Sequence, residues 1–596
     1  MYETADDTRS DPASGELGSA APRRGSSDPQ IRLASPRTTV QIRLDDGRIL
    51  EGPVSTSLEA FVAHVVTPEE PPIVAALVDG ELRELTFQIT RDADVRFLSN
   101  ATSDGKRVYQ RSLTLLMLAA VRELFPEAEI RVDHAVTLTG LLCEVHGRPP
   151  FGAQEIAQIQ ARMQEIVDQD EPIVKRQVPM DEAIAMFQAM GYRDKVRLLR
   201  FRQRDYVVIY SLRQEHGYFY GYMVPSTSYI RYFDLLPHPL GFILRAPRRR
   251  SPVELPVGGQ SPKLDLVFQR YGDWLRALDI DDVGELNEAI DSGRIGEVIL
   301  VAEALHEQQV VEIAAQIATR KDKARLVLIA GPSSSGKTTF SKRLGVQLLV
   351  RGLHPVPLEM DHYFVDRSLT PRDRFGGYDY EHLQALDLEL LNTHLKALMA
   401  GQEVQLPRYD FQTGTRRPGP MLRIGPQHVI IAEGIHGLDP NLVRDTPAEC
   451  IYRVYISALT QLNIDHHNRI STTDNRLLRR IVRDAQYRGY TAADTINRWE
   501  SVTRGETRWI FPYQENADSM FNSALVYELA VLKSFAEPLL RHVEPDALAS
   551  VESKRLLAFL EWFLPCTPEH VPDNSILREF VGGSILGDFT ISLGEI

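Results

Sequence analysis

Cysteine is nearly missing from this 596-residue chain: there are three, Cys143, Cys450 and Cys566, and no two lie near one another in sequence. That excludes a disulfide framework and a paired-cysteine zinc site, and it matches a reducing compartment. Long apolar runs are lacking too. No stretch reaches the roughly 18 uninterrupted apolar residues of a membrane-spanning helix. Met1–Ser10 also lacks the charged and apolar regions of a secretion signal. A soluble, cytoplasmic protein without membrane partners is expected. Basic excess is absent as well: 67 Lys and Arg stand against 81 Asp and Glu, a net charge of −14. Nucleic-acid binders present a strongly basic face, so RNA binding is not expected, although a local basic patch stays open. What is present is ordinary for a globular protein, with 43% hydrophobic and 25% charged residues. The length exceeds a single core, so roughly two to four domains are expected. Homo-oligomerisation is left open.

Residues 1–37 are rich in Ser, Pro, Gly, Ala and charge, and cannot bury enough surface to offset the entropy of ordering; they read as a disordered tail. Thr39–Leu44 then alternates polar and apolar residues, as a half-buried strand does. It opens a small α/β unit over 38–100, with a helical stretch Ser57–Val65 and a hairpin from Ile73–Leu77 through Asp79-Gly80 to Leu82–Ile89. An α+β unit over 101–250 shows helical spacing in Ser112–Leu124 and Gln154–Val167, and strand-favouring Tyr and Val over Arg204–Tyr222. Its closing segment, Arg245–Pro252, reads as an interdomain linker, either a solvated basic loop or a contact with an acidic partner. Residues 251–320 form the linker and connector, helical from about Asp282 to Thr319. From 321 to 596, strands alternate with helices, which implies a parallel sheet flanked by helices. The strands are Leu326–Ala330, Val356–Met360, Val429–Ala432 and Tyr452–Ile456; the helices include Thr338–Val350 and Asp387–Ala400.

The first of these strands runs into Gly331-Pro-Ser333-Ser334-Ser335-Gly336-Lys337-Thr338-Thr339, a G-x-x-x-x-G-K-[ST] loop between strand and helix. Its backbone N–H groups and the helix N-terminus suit a polyphosphate, Lys337 suits the β- and γ-phosphates, and the Thr338 hydroxyl suits Mg²⁺. ATP and Mg²⁺ are the expected cofactors, and no guanine-reading Asn/Thr-Lys-x-Asp segment follows. Glu433, ending Val429–Ala432, either approaches the metal or is an exposed strand-end carboxylate. Asp361, ending Val356–Met360, either accepts a proton from an attacking hydroxyl or caps a turn. Arg476, Arg479, Arg480 and Arg483 recur at helical spacing, so on a helix they share one face. That face calls for an anion opposite, such as triphosphate, unless Asp474 and Asp484 leave it a solvated surface.

Five ordered motifs resemble the uridine kinase/phosphoribulokinase family over roughly residues 323–540: Gly331–Thr339, Asp361–Phe364, Leu406–Phe411, Ile431–Gly434 and Arg476–Asp484. The resemblance implies a P-loop nucleoside-monophosphate-kinase-like fold that transfers the γ-phosphate of ATP to a sugar hydroxyl. Asp361 would be the base. Lys337, Arg479 and Arg483 would clamp the transferring phosphate, Arg480 the nucleotide, and Thr338 with Glu433 would serve the metal. Tyr409 and Phe411 would line the nucleoside pocket, with Asp379 or Glu381 on ribose hydroxyls and Arg476 on the substrate side. One departure is that Gly414 stands where uridine kinases carry a pyrimidine-reading histidine. Residues 38–99 resemble a TGS domain, a β-grasp module, and residues 107–247 the second additional domain of threonyl-tRNA synthetases, as in Ala120–Pro126. That domain's H-x-x-x-H signature falls here on Arg111 and Leu115, so its metal chemistry is expected to be lost. The chain resembles a bacterial nucleoside-kinase type with this fusion. The implied acceptor is a nucleoside; a non-nucleoside sugar or vitamin-like metabolite, or a nucleotide-sensing RNA- or ribosome-associated regulator with little catalysis, are the competing readings.

Overall fold

The strand Leu326–Ala330 is buried at every residue. A strand that is apolar on both faces needs cover on both sides, which is what a parallel sheet between helices provides. In the computed structural model it is the middle of a five-stranded sheet in the order His354–Glu359, His428–Glu433, Leu326–Ala330, Ile451–Ser457, Ser519–Asn522, every pairing parallel. The structure describes residues 36–65, 71–136, 140–256, 261–320, 323–372, 376–545 and 547–589. Almost all of the expected tail, 1–37, lies outside them. The helices Lys337–Val350 and Leu388–Met399 follow the expected spans within one residue at each end. The edge strand Ser519–Asn522 was not anticipated; four residues with no alternation carry too little pattern.

The N-terminal part is a mixed sheet in the order Ile49–Pro53, Thr39–Leu44, Ala93–Ser99, Ile73–Val78, Glu81–Arg83. Its first and last long strands pair in parallel at the centre, the β-grasp arrangement. The expected strand Leu82–Ile89 is divided. Glu81–Arg83 pairs with Ile73–Val78, while Gln88–Ile89 turns away to pair with Thr56–Ser57. A four-stranded antiparallel sheet and a three-stranded one follow, packed on the helices Ser103–Leu124 and Ala153–Asp168. The former begins at Ser103 rather than Ser112. Thr102 caps it by accepting the Gly105 N–H, and its polar first turns hide from an apolar-spacing search.

The two halves share a core. Phe187, Val207 and Tyr218 belong to the same apolar cluster as Leu477, Ile481 and Trp562. At its centre the fully buried Lys195 donates to Asp465 at 2.8 Å, and Tyr218 and Asn468 also donate to that carboxylate. In the basic segment after Arg245, Arg249 donates to Glu500 of the helix Ala492–Trp509 at 2.8 Å. Among the described residues, no helix is long and apolar enough to cross a membrane.

Candidate active site

The P-loop follows the central strand, and its glycines are there because nothing else fits. A Cβ on Gly331 would stand 1.9 Å from the Ile456 carbonyl oxygen, and Gly336 has φ +82° with Ile576 pressed against it. Ser334 is held at φ +58°, a strained conformation that packing around a functional loop sustains. Ser334 and Ser335 are buried and their hydroxyls have no partner. Lys337 donates back to the carbonyls of Gly331 and Pro332 at 2.9 and 3.0 Å. Burial lowers its pKa, against the pull of Glu433 and Glu579.

Parallel neighbours bring two carboxylates to the same crevice. Glu433 lies in register with Ile329 and accepts the Thr338 hydroxyl at 3.0 Å. Its other oxygen is buried without a partner, and burial raises its pKa against the attraction of Lys337. A hydroxyl and a half-satisfied carboxylate fit a hard cation such as Mg²⁺, which takes its remaining ligands from phosphate and water. Asp361 sits in the 3₁₀ turn Met360–Tyr363 after the next strand. Its carboxylate opens to solvent, yet the crevice walls crowd it: burial raises its pKa and Lys337 opposes the shift.

The four arginines lie on the helix Thr472–Tyr487, but they do not jointly face an open phosphate site. Arg476, 2% exposed, grips Glu506 at 2.5 and 2.8 Å and the Ser333 carbonyl at 3.1 Å. Arg479, fully buried, grips Glu528 and the Ser523 carbonyl, and reaches the Ser334 carbonyl at 3.4 Å. The anions expected opposite them are therefore protein carboxylates, and these two arginines brace the P-loop from behind. Arg480 donates to Ser333 Oγ at 2.7 Å, and both Arg480 and Arg483 pair with Asp484. They are the two that remain near the loop's outer side. Sequence reasoning missed Glu506 and Glu528, although Glu506 follows Trp499 and Val502 on a buried helix face, where a carboxylate is out of place.

Two loop amides are already engaged. Ser333 N–H donates to Glu506 at 2.9 Å, and Thr339 N–H and Oγ–H both donate to Glu579 at 3.2 and 2.8 Å. Glu579 belongs to a C-terminal segment beyond the motifs, and no sequence signal marks it. A phosphate that needs the Thr339 amide must displace this carboxylate. Glu579→Ala is expected to tighten ATP binding roughly three- to tenfold, since one like charge near a phosphate is worth on the order of 1 kcal/mol. Equilibrium titration of ATP into both proteins measures it. Weaker binding by the variant would mean that Glu579 positions the loop instead.

The remaining residues form an aromatic corner. Phe364, Tyr409 and Phe411 have ring centroids 5.1–6.3 Å apart, on the turn after Asp361 and on the hairpin Val404–Asp410/Thr415–Leu422. Phe411 is exposed, whereas Tyr409 is buried with its hydroxyl unpartnered. Gly414 has φ +72°, and Arg367 fills the space beside it, donating to Tyr380 Oη and the Phe411 carbonyl. Glu381 leaves this corner: it packs on Gly505, and burial and nearby Glu506 push its pKa up to about 7. Asp379 accepts the Glu381 N–H at 3.2 Å.

Residues 326–529 match the model of the Phosphoribulokinase / Uridine kinase family. The N-terminal part resembles threonine–tRNA ligase; that of Burkholderia lata is 32% identical over 208 residues, 33% of this chain and 31% of the ligase. The chain thus spans about a third of the length of the curated relatives it matches. Among solved structures, a D-glycerate 3-kinase from Cryptococcus neoformans aligns with 15% identity and TM-score 0.19, covering 44% of this chain and 89% of its own. A possible uridine kinase from Bacillus stearothermophilus aligns with 28% identity and TM-score 0.19, covering 22% and 70%. At these scores neither likeness bears on the substrate. The P-loop, the parallel sheet and the family match agree that residues 326–529 form a P-loop kinase domain of the phosphoribulokinase/uridine kinase family.

Proposed function

We propose that this protein transfers the γ-phosphate of ATP to a hydroxyl of a nucleoside-like small molecule. The observation that carries the reading is the convergence of Lys337, Thr338, Glu433 and Asp361, the last without a side-chain partner among the described residues, at the same end of three adjacent parallel strands. Phosphoryl transfer asks the protein mainly for position and charge. Asp361 takes the acceptor proton, Lys337 leaves its loop carbonyls for the phosphates, and Arg480 and Arg483 stand at the rim. Mg²⁺, when held by Thr338 and Glu433, neutralises charge on the phosphates. Phe364, Tyr409 and Phe411 supply stacking faces for a planar base, and the Tyr409 hydroxyl supplies a polar contact.

A second reading, a non-nucleoside hydroxyl compound, draws on Arg367. With Gly414 in place of the base-reading histidine, the polar group of that corner is a guanidinium, which suits carbonyl, carboxylate or phosphate better than a pyrimidine edge. ADP release with Mg·ATP against a panel of nucleosides and sugar-like acceptors separates the two. One nucleoside giving acceptor-dependent turnover supports the first reading, and turnover only with non-nucleosides supports the second. Tight, salt-sensitive RNA binding without turnover on any acceptor would sink both in favour of a regulatory protein.

A further inference from the structure

A cavity of about 540 Å³, lined by none of the P-loop residues, lies between the helix Ser103–Leu124 of the synthetase-like part and the start of the helix Thr472–Tyr487 of the kinase domain. Its walls are cationic to a degree that the protein's own carboxylates do not answer. Arg107 and Arg555 are satisfied by Asp104, Glu552 and Asp474, Arg249 by Glu500, and Arg476 by Glu506. Lys106, Arg111 and Arg469 line the same space and form no ion pair among the described residues.

These groups come from both halves of the chain. Burial lowers the pKa of Lys106, and the neighbouring Arg249, Arg469, Arg248 and Arg107 add to the shift. Arg111 stacks on Tyr220 with its pKa lowered by burial to about 10, and Arg469 is shifted the same way for the same reason. The Nε atoms of Arg469 and of the almost wholly buried Arg476 have no hydrogen-bond partner. Like charges gathered in a desolvated space repel, and a folded chain tolerates that where an anion completes the set. Ser471, Thr472 and Thr473, at the N-terminal end of the helix, line the same cavity, and the Ser471 hydroxyl there accepts the Thr473 N–H at 3.2 Å.

We propose that this cavity is a second ligand site, distinct from the P-loop, for a small phosphate-bearing molecule of nucleotide size whose charge is shared by Lys106, Arg111 and Arg469. Its volume is that of a small-molecule pocket, so the ligand is a free metabolite and not a nucleic-acid strand. The assignment does not depend on the kinase reading. The position matters nonetheless, because the helix whose first turn lines the cavity also holds the Ser333 carbonyl of the P-loop through Arg476.

The test uses the full chain and inorganic pyrophosphate, by calorimetric titration and by thermal melting at low salt. Lys337→Ala, which disables the P-loop, is expected to retain pyrophosphate binding. Lys106→Gln and Arg469→Gln in that background are expected to weaken it at least tenfold each. Because Lys106→Gln relieves repulsion, its melting temperature without ligand should equal or exceed that of its parent, while the rise caused by pyrophosphate disappears. That combination separates a lost site from a failed fold. Binding abolished by Lys337→Ala and untouched by the two Gln variants would overturn the proposal. So would binding of an RNA hairpin that depends on Lys106 and Arg469 when pyrophosphate does not bind.

Discussion

Asp361→Asn should lower kcat by roughly 100- to 10,000-fold, the range general-base catalysis supplies, while leaving ATP affinity nearly unchanged. Asparagine keeps the shape of the crevice wall but cannot accept the acceptor's proton. The carboxylate has no hydrogen-bond or ion-pair partner among the described residues that would give it a structural duty, so the loss should be chemical and not one of folding. The pH dependence follows from the direction of its shift. Crowding in the crevice raises the pKa of Asp361 more than Lys337 lowers it. A base works only when deprotonated, so the acid limb of the kcat profile should lie above the ordinary carboxylate range and activity should fall as pH drops through it. The variant should lose that limb. Steady-state ADP release across pH, with the acceptor found from the panel, measures both. A variant within a few-fold of the parent at all pH values would remove Asp361 from the mechanism and leave it a turn residue.

Asp465→Asn is expected to destabilise the molecule by about 3–5 kcal/mol, the cost of leaving a buried charge without its partner. Lys195 and Asp465 are both fully buried, one from each half of the chain, and Tyr218 and Asn468 spend their donors on the same carboxylate. Burial opposes ionisation of Asp465, but Lys195 outweighs it and holds the carboxyl well below the usual range. The sign is that of a depressed acid. Its contribution is fully present above the unfolded carboxylate pKa and is lost only as pH falls through the folded one. The parent and variant should therefore differ throughout the neutral range and converge under strongly acid conditions. Urea titration with limited proteolysis as a second probe measures the loss and shows whether the halves separate before either unfolds. An apolar pair, Lys195→Met with Asp465→Leu, should remove the unpaired charge yet recover little of the loss, because Tyr218, the Asn468 amide and the His467 and Asn468 backbone N–H groups then lose their buried acceptor. If Asp465→Asn melts with its parent, the halves are not held by this pair.

The kinase half was legible because its signals are local. A fully buried parallel strand is a continuous apolar run, and a loop that must bend its amides toward phosphate needs glycine at Gly331 and Gly336 and a lysine and hydroxyl just beyond. Strand ends carry Asp361 and Glu433 into the crevice by topology alone, so their meeting could be foreseen. The arginines were read less well. Helical spacing places Arg476, Arg479, Arg480 and Arg483 on one face, but it cannot say whether that face looks at solvent, ligand or protein. The answer depended on Glu506 and Glu528, 30 and 49 residues away from their partners. Asp379 and Glu381 illustrate the same limit on a smaller scale. Residues two apart turn to different neighbours, and Glu381 packs on Gly505 beside Glu506.

Thus the chain's order of residues determines that a P-loop kinase domain follows two smaller α/β units, because glycine, apolar runs and short-range spacing specify loops and strands within a few residues of themselves. The tertiary structure alone decided which charges are spent inside the protein and which are left over. Charge pairing acts through space between segments far apart in sequence. For that reason the carboxylates on the P-loop amides, the buried Lys195–Asp465 pair and the cation-lined cavity between the halves became visible only once the halves were packed together.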